Sequence, residues 1–252
     1  MNWLAWEHWG YAVLAVVGTG LAVWAVDHAL MRPAVAHRLK PYRGVVAPFI
    51  NVNAMLFGLT LAFIADDTWS SRDRAMDAVF READSLRSLL VLSEALGAPL
   101  SAQLAAAATT YGAAAAAEFT ALRQSHADPA ASAAADALLA LAASPALRAA
   151  AGDPVQSQIL DKVMLLRDDH DMRVALMQTH LNPLKWLGMA ILGFLTILSI
   201  AAVHLENVRA GTFAIAIFAL ASAPTSALVL VQGNPFQEPA AVTAEPILDA
   251  IR

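Results

Sequence analysis

Pro48-Phe49-Ile50-Asn51-Val52-Asn53-Ala54-Met55-Leu56-Phe57-Gly58-Leu59-Thr60-Leu61-Ala62-Phe63-Ile64-Ala65-Asp66-Asp67 is the stretch on which the reading of this chain turns. It carries no charge from Pro48 to Ala65 and then meets two carboxylates. Crossing about 30 Å of hydrocarbon takes roughly 20 apolar residues in a helix, so the run reads as a membrane span that reaches water at Asp66-Asp67. Three further stretches read the same way. The first, Trp9 to Met31, is uncharged until Asp27 and His28, with Trp3, Trp6 and Trp9 at one end and Trp24 near the other as an interfacial aromatic belt. Another begins after Pro183 and runs from Leu184 to Val203, with Lys185 placed to snorkel. The last, Ala210 to Val231, holds Pro224 within a run of small residues, which predicts a kink.

The joints 32–47 and 204–209 are short and polar, so the spans pair into two helical hairpins, 1–66 (helices about 9–31 and 48–65) and 183–231. Residues 67–182 between them are expected to form a large extramembrane helical domain, and 232–252 a C-terminal tail. Helix A is predicted from about Thr68 to Leu96, stopping near Gly97 and Pro99. Its residues Met76, Val79, Ala83, Leu86 and Leu90 form a heptad seam. Helix B is predicted over about Leu100 to Gln124, rich in alanine and anchored by Tyr111, Phe119 and Leu122. A third helical piece is placed between Pro129 and Ala151. A last helix starts after the N-cap and N1 pair Asp153-Pro154, with a face of Ile159, Val163, Leu166, Val174, Met177 and Leu181 that ends at Asn182-Pro183. Helix A and this last helix should extend membrane helices two and three as near-continuous rods. With no strand pattern and no repeat, the expected fold class is all-α.

Composition agrees with that division. Of the 252 residues, 58% are apolar and only 15% charged, against about half and about a quarter in a soluble domain. The chain has no cysteine, which removes disulfides, thiolate metal sites and cysteine nucleophiles. A net charge of −5 leaves no basic footprint for nucleic acid. The abundance of alanine and the excess of arginine over lysine suggest a bacterial source and its inner membrane. The first apolar run has neither a positive n-region nor a cleavage site, so it is read as retained.

Charge does not fix the orientation. The first joint, with Arg32, Arg38, Lys40 and Arg43, points to the cytoplasm and would put the domain outside. Arg72, Arg74 and Arg81 on one flank of the domain, with Arg167, Arg173 and Lys185 on the other, pull the opposite way.

The most enzyme-like string is Asp168-Asp169-His170-Asp171. Consecutive helical residues fan out by about 100° and do not converge on one ion, so we expect a packed histidine beside a solvated acidic face and assign no metal site. Asp27-His28 reads either as a proton relay or as an interfacial charge meeting Arg32 or water. No phosphate-cradling glycine loop, His-Glu-x-x-His or Gly-x-Ser-x-Gly is present. No catalytic residue and no cofactor is expected, and an enzyme is not.

Membrane helix two is more informative. Ala54, Gly58 and Ala62 form a small-xxx-small ridge that lets helices approach closely. Beside it Met55, Leu59 and Phe63 form an apolar stripe leading to Asp66 and Asp67, with Asn51 and Asn53 at the other end. This fits a helix packed inside a four-helix bundle. It also admits a pore-lining helix with polar mouths (Asn51 and Asn53, Asp66 and Asp67) and an apolar neck (Met55, Leu59, Phe63) that gates by dewetting, though the residues alone favour the bundle.

Around this helix the chain resembles a known family. Leu56-Phe57-Gly58-Leu59-Thr60-Leu61-Ala62-Phe63, then Trp69, Arg72 and Ala75, is similar to the second membrane helix of bacterial bestrophins. With Glu82-Ala83, Tyr111, Glu118-Phe119, Asn234-Pro235-Phe236 and Val242-Thr243-Ala244-Glu245-Pro246, the likeness is closer to the bestrophin-like family of bacterial membrane proteins, a domain of unknown function. Bestrophins are pentameric anion channels with two helical hairpins per subunit, a cytoplasmic helical domain and an apolar neck on helix two. The resemblance therefore implies a homo-oligomer, a pentamer in bestrophins, that passes small ions across the lipid bilayer, with the domain and N-terminus inside. The neck would be Met55, Leu59 and Phe63, or one turn later Leu59, Phe63 and Asp67. Two departures stand out. Carboxylates at Asp66 and Asp67 would favour cations, and Gln237-Glu238 stands where the family usually has a glycine. The competing reading is a non-conducting scaffold or sensor whose helical domain binds a partner, for which the seam on helix A would serve.

Overall fold

The computed structural model describes residues 8–30, 35, 37, 43–177, 183–238 and 241–252. Their regular structure is all helical: α1 (His8–Leu30), α2 (Arg43–Glu94), α3 (Leu100–Arg123), α4 (Pro129–Ala142), α5 (Pro145–Met177), α6 (Pro183–Val203), α7 (Val208–Val231) and α8 (Glu245–Ala250). Four of them, α1, α2, α6 and α7, are long and apolar enough to cross a membrane. The chain divides into two compact units, one of residues 1–69 and 181–233, the other of 70–180 and 234–252.

The first unit holds α1, the first part of α2, α6 and α7. α1 lies against α7 and α6, and α6 against α7. Val26, Ile197, Ile200, Ala201 and Ile215 form one buried cluster. Phe57, Leu61, Ile64 and Ala65 of α2 pack with Met189 and Val229 in another. A Cβ at Gly193 would come within 3.1 Å of the Phe57 ring, so glycine there leaves room for the ring where α6 meets α2. Polar side chains tie the helices across the apolar contacts. Asn53 Nδ2 donates to Ser199 Oγ at 3.0 Å, and Thr212 Oγ1 to Asp27 Oδ1 at 2.6 Å. Asp27 thus has a threonine partner on α7, while the ring of His28 stacks on Trp24. α7 runs through Pro224 to Val231 as one helix.

The second unit is built around one core. Ala75, Val79, Leu86 and Leu89 of α2, Leu104, Ala108, Tyr111 and Leu122 of α3, and Ile159, Val163 and Leu166 of α5 are all buried in it. Local signals set the helix ends. Asp128 caps α4 by accepting from the Ala130 amide at 2.9 Å, with Pro129 in the first turn. The expected single piece over Pro129–Ala151 is instead two helices. α4 stops at Ala142, and Ser144 Oγ accepts from the Leu147 amide to open α5 at Pro145. Ser-Pro is itself an N-terminal signal, overlooked inside an alanine-rich run. The break expected at Asp153-Pro154 falls one residue earlier. Gly152 adopts φ +72, a left-handed value that glycine permits, and interrupts α5 there.

α2 has no break at Asp66-Asp67 but runs through 52 residues, about 78 Å at 1.5 Å per residue. The expected continuity of helix A with membrane helix two is therefore present. The corresponding junction at His180, Leu181 and Asn182 lies outside the described residues. The stretch 234–252, read from sequence as a tail, groups with the helical unit. Asn234 Nδ2 donates to the Leu122 carbonyl at 3.0 Å, which also accepts from the Ser125 amide, and Gln237 Nε2 donates to the Arg123 carbonyl at 2.6 Å, so both side chains engage the last turn of α3. Phe236 and Ile247 are fully buried.

Candidate functional site

The membrane part of α2 has two unlike faces. At about 100° per residue, Phe57, Leu61 and Ile64 point one way and Met55, Leu59, Phe63 and Asp66 the other. The first set is buried against other helices of the same chain. The second is bare: Met55 is 72% exposed, Leu59 50% and Phe63 65%. Ala54, Gly58 and Ala62 are also exposed, and a Cβ at Gly58 would meet nothing within 4 Å. Both the ridge and the stripe read from the sequence therefore lie on the side of α2 that the chain itself leaves unpacked.

The polar residues at the two ends differ in their surroundings. Asn51 is exposed, whereas Asn53 is half-buried and bonded to Ser199. Asp67 accepts from Lys185 Nζ at 2.9 Å, an exposed pair. Asp66, exposed, is the carboxylate beside it on the bare face. A cross-tie follows one turn on, where Trp69 Nε1 donates to Gln232 Oε1 at 2.9 Å.

The helical unit contains a second constellation, buried and charged. Its core helices each carry a 3-4 seam: 75-79-82-86-89 on α2, 104-108-111-115-118-122 on α3 and 159-163-166-170-173-177 on α5, all buried. On each seam the apolar sequence is interrupted, by Glu82, by Tyr111 and Glu118, and by His170 and Arg173. These five side chains meet. Arg173 donates from Nε to Glu82 Oε2 at 3.0 Å and from Nη2 to Glu82 Oε1 at 3.2 Å. The same Nη2 lies 3.1 Å from Glu118 Oε2, and Nη1 donates to the Ala115 carbonyl at 3.5 Å. Tyr111 donates its hydroxyl to Glu82 Oε1 at 2.5 Å, and His170 Nε2 lies 3.0 Å from Glu118 Oε2. The backbone N–H of Asp128 donates to Glu118 Oε1 at 3.1 Å. The Arg173 guanidinium also sits over the Phe119 ring at 4.8 Å, and Phe119 meets Phe236 edge-on at 5.6 Å.

Burial of this layer has electrostatic consequences. It pushes the Tyr111 hydroxyl well above its ordinary range; the Glu82 charge adds to that and Arg173 opposes it. For Arg173, burial favours loss of the proton, but Glu82, Tyr111 and Glu118 outweigh it and hold the guanidinium charged. At the edge, burial raises Asp169 against the opposing pull of Arg81, whose Nε is 3.0 Å from Asp169 Oδ1.

Asp168-Asp169-His170-Asp171 accordingly fans out. Asp168 and Asp171 face solvent, Asp169 meets Arg81, and His170 packs inward. Among the described residues no group of three or more His, Cys, Asp or Glu side chains could hold a metal ion. Arg173 was missed as a site residue because the sequence reading moved the seam from Leu166 to Val174. Continuing the strict 3-4 spacing would have reached it.

All-helical structure, four helices of membrane-crossing length and a helical unit with a buried polar layer define a helical membrane protein. The family model described as the Bestrophin-like domain matches residues 13–247, and the chain belongs to that family. No curated protein and no solved structure matches the chain. Six of the residues that carry the resemblance (Glu82, Tyr111, Glu118, Phe119, Asn234 and Phe236), spread over some 150 positions of sequence, are part of the buried layer or of the contacts that flank it.

Proposed function

We propose that the protein is a homo-oligomeric ion pore of bestrophin-like type, lined by α2, with Leu59 and Phe63 at its narrowest part and Met55 completing the neck. In this reading four helices cross a bacterial inner membrane as two hairpins, residues 67–182 form the inserted domain on the cytoplasmic side, and both termini share that side. The observation that carries it is the bare face of α2. A helix buried on one side in its own protomer and exposing Met55, Leu59 and Phe63 on the other leaves that stripe for lipid, a neighbouring copy or a pathway. The exposed Gly58 ridge beside it suits close approach of a second copy. Family membership supports a channel-like protein, and five-fold assembly is taken from bestrophins. With Asp67 held by Lys185, the charge at the mouth rests chiefly on Asp66, which favours cations. The scaffold reading loses its main support, since Val79, Ala83 and Leu86 of the helix A seam are spent in the protomer's own core.

A ring of bulky apolar side chains excludes water, so smaller residues should relieve the barrier. The test is planar-bilayer recording of purified wild type, the Leu59→Ala/Phe63→Ala variant and Asp66→Asn. The double variant should raise conductance, and Asp66→Asn should shift the reversal potential under a salt gradient toward anions. Silence of wild type and double variant alike, across voltage, pH and divalent concentration, would favour the scaffold.

A further inference from the structure

Asp66 and Asp67 close the bare face of α2, and a cation from another helix stands beside them. At about 100° per residue, Asp67 lies about 80° round α2 from Leu59, and Asn53 about 120° round in the same sense. Both meet α6: Asp67 accepts from Lys185 Nζ at 2.9 Å, and Asn53 Nδ2 donates to Ser199 Oγ at 3.0 Å. Lys185 and Ser199 are as far apart on α6 as Asp67 and Asn53 are on α2, in reverse order, so α6 runs antiparallel along this flank. On the opposite flank Trp69, about 80° the other way from Leu59, donates to Gln232 at the end of α7. The bare face is thus bordered by α6 on one side and by the end of α7 on the other. Lys185 is the α6 residue at its carboxylate end. The ammonium and its partner are both open to water, with side chains 51% and 53% exposed. An exposed pair contributes little to stability, so its chief consequence is the charge it leaves at this end of the face.

We propose that Lys185 is a selectivity-determining residue: standing beside the lining helix, its ammonium cancels one of the two carboxylate charges that each protomer brings to the mouth, and so limits the preference for monovalent cations. Asp66, Asp67 and Lys185 together carry one net negative charge, and without Lys185 they carry two. Copies arranged around an axis repeat that difference at every protomer, and a ring of like charges is what sets ion preference at a pore mouth. The proposal rests on the pore reading for the passage of ions, whereas the charge assigned to Lys185 stands without it. A charge role and a purely structural role for the pair make opposite predictions. Lys185→Met and Asp67→Asn break the same contact, so a structural role moves both variants the same way. They change the charge in opposite senses, so a charge role moves them apart.

The experiment records reversal potentials of the full-length protein in planar bilayers under a potassium chloride gradient. It compares wild type with Lys185→Met, Asp67→Asn, the two combined, and Lys185→Arg. Lys185→Met should raise the cation-to-anion permeability ratio roughly twofold or more, the size expected for one screened charge a few ångströms away. Asp67→Asn should lower it by a similar factor. The combined variant, back to one net negative charge, should return to wild type, and Lys185→Arg should stay there. A reversal potential that Lys185→Met leaves in place, or that both single variants move the same way, overturns the proposal while the pore stands. A second readout needs no current. Phe63→Cys places a thiol one turn before Asp67 in a chain with no other cysteine, and its reaction rates in native membranes with cationic and anionic methanethiosulfonates report the local charge. Adding Lys185→Met should raise the cationic-to-anionic rate ratio, and an unchanged ratio overturns the proposal. If no variant passes current, the pore reading fails and the thiol rates alone decide the charge assigned to Lys185.

Discussion

Replacing Arg173 with methionine is the sharpest perturbation of the helical unit. The substitution keeps most of the side chain's length and removes the charge. It takes away two bonds to Glu82 at 3.0 and 3.2 Å, a contact to Glu118 at 3.1 Å and the cation over Phe119. What remains is two fully buried carboxylates facing each other across an apolar side chain. Breaking a buried pair by deleting one partner costs about 3–5 kcal/mol, mostly because the surviving charge stays desolvated. At roughly 2–4 °C per kcal/mol for a unit of this size, the melting temperature should fall by on the order of 10 °C. The chain has no cysteine, so a thiol placed at the fully buried Ala108 gives a probe of this unit free of background. An Ala108→Cys protein heated with a thiol-reactive dye reports when α3 is exposed. Adding Glu82→Gln and Glu118→Gln to Arg173→Met should recover much of the loss, since neutral amides are far cheaper to bury. A melting temperature for Arg173→Met within 1–2 °C of its parent, an effect of well under about 1 kcal/mol, would refute the view that the layer is one interdependent set.

Three further outcomes follow from the same contacts. Tyr111 ionises later in the folded protein than in the unfolded chain, so its contribution to stability is complete below pH of about 10 and is lost as pH rises beyond that; in a 295 nm titration one of the three tyrosines should lag until the unit unfolds, and Tyr111→Phe should abolish the lag. Phe236→Ala empties a fully buried ring site against Phe119 and should cost about 3–5 kcal/mol, seen as earlier dye labelling in the Ala108→Cys background and faster proteolysis of 234–252. Gly58→Leu meets nothing in the protomer, so it should leave the monomer folded and reduce the assembled species on size exclusion, whereas Leu61→Ala, buried in the protomer, should act on protomer stability instead.

The helical class and the four long apolar helices were legible because hydrocarbon-length runs and 3.6-residue periodicity are strong local signals. The faces of α2 were legible as stripes, but what each stripe meets was not. Ala54-Gly58-Ala62 spells close packing equally for a bundle interior and for a neighbouring chain, and it is the burial of Phe57, Leu61 and Ile64 that separates the two faces. The polar layer was only half legible. Glu82, Tyr111 and Glu118 stood out through resemblance, and His170 as the histidine expected to pack inward beside an acidic face. That they share Arg173 depends on three seams coming together, which no single helix encodes. The capping of α3 by Asn234 and Gln237 spans more than a hundred residues and leaves no local trace beyond the Asn-Pro-Phe turn. The misplaced break between α4 and α5 shows the reverse case, a local Ser-Pro signal outweighed by a uniform run of alanine.

In the proposed pore the bare face of α2 meets its own copies around an axis. Disulfide cross-linking of single-cysteine variants in native membranes, which the cysteine-free chain allows, probes that arrangement without requiring current to flow. Leu59→Cys places a thiol on the bare face of α2, and Leu220→Cys places one on α7, where that residue is 78% exposed. Mild oxidation should join Leu59→Cys protomers into covalent dimers and leave Leu220→Cys monomeric. A Leu59→Cys protein that stays monomeric, or that cross-links no faster than Leu220→Cys, would contradict an axis lined by α2.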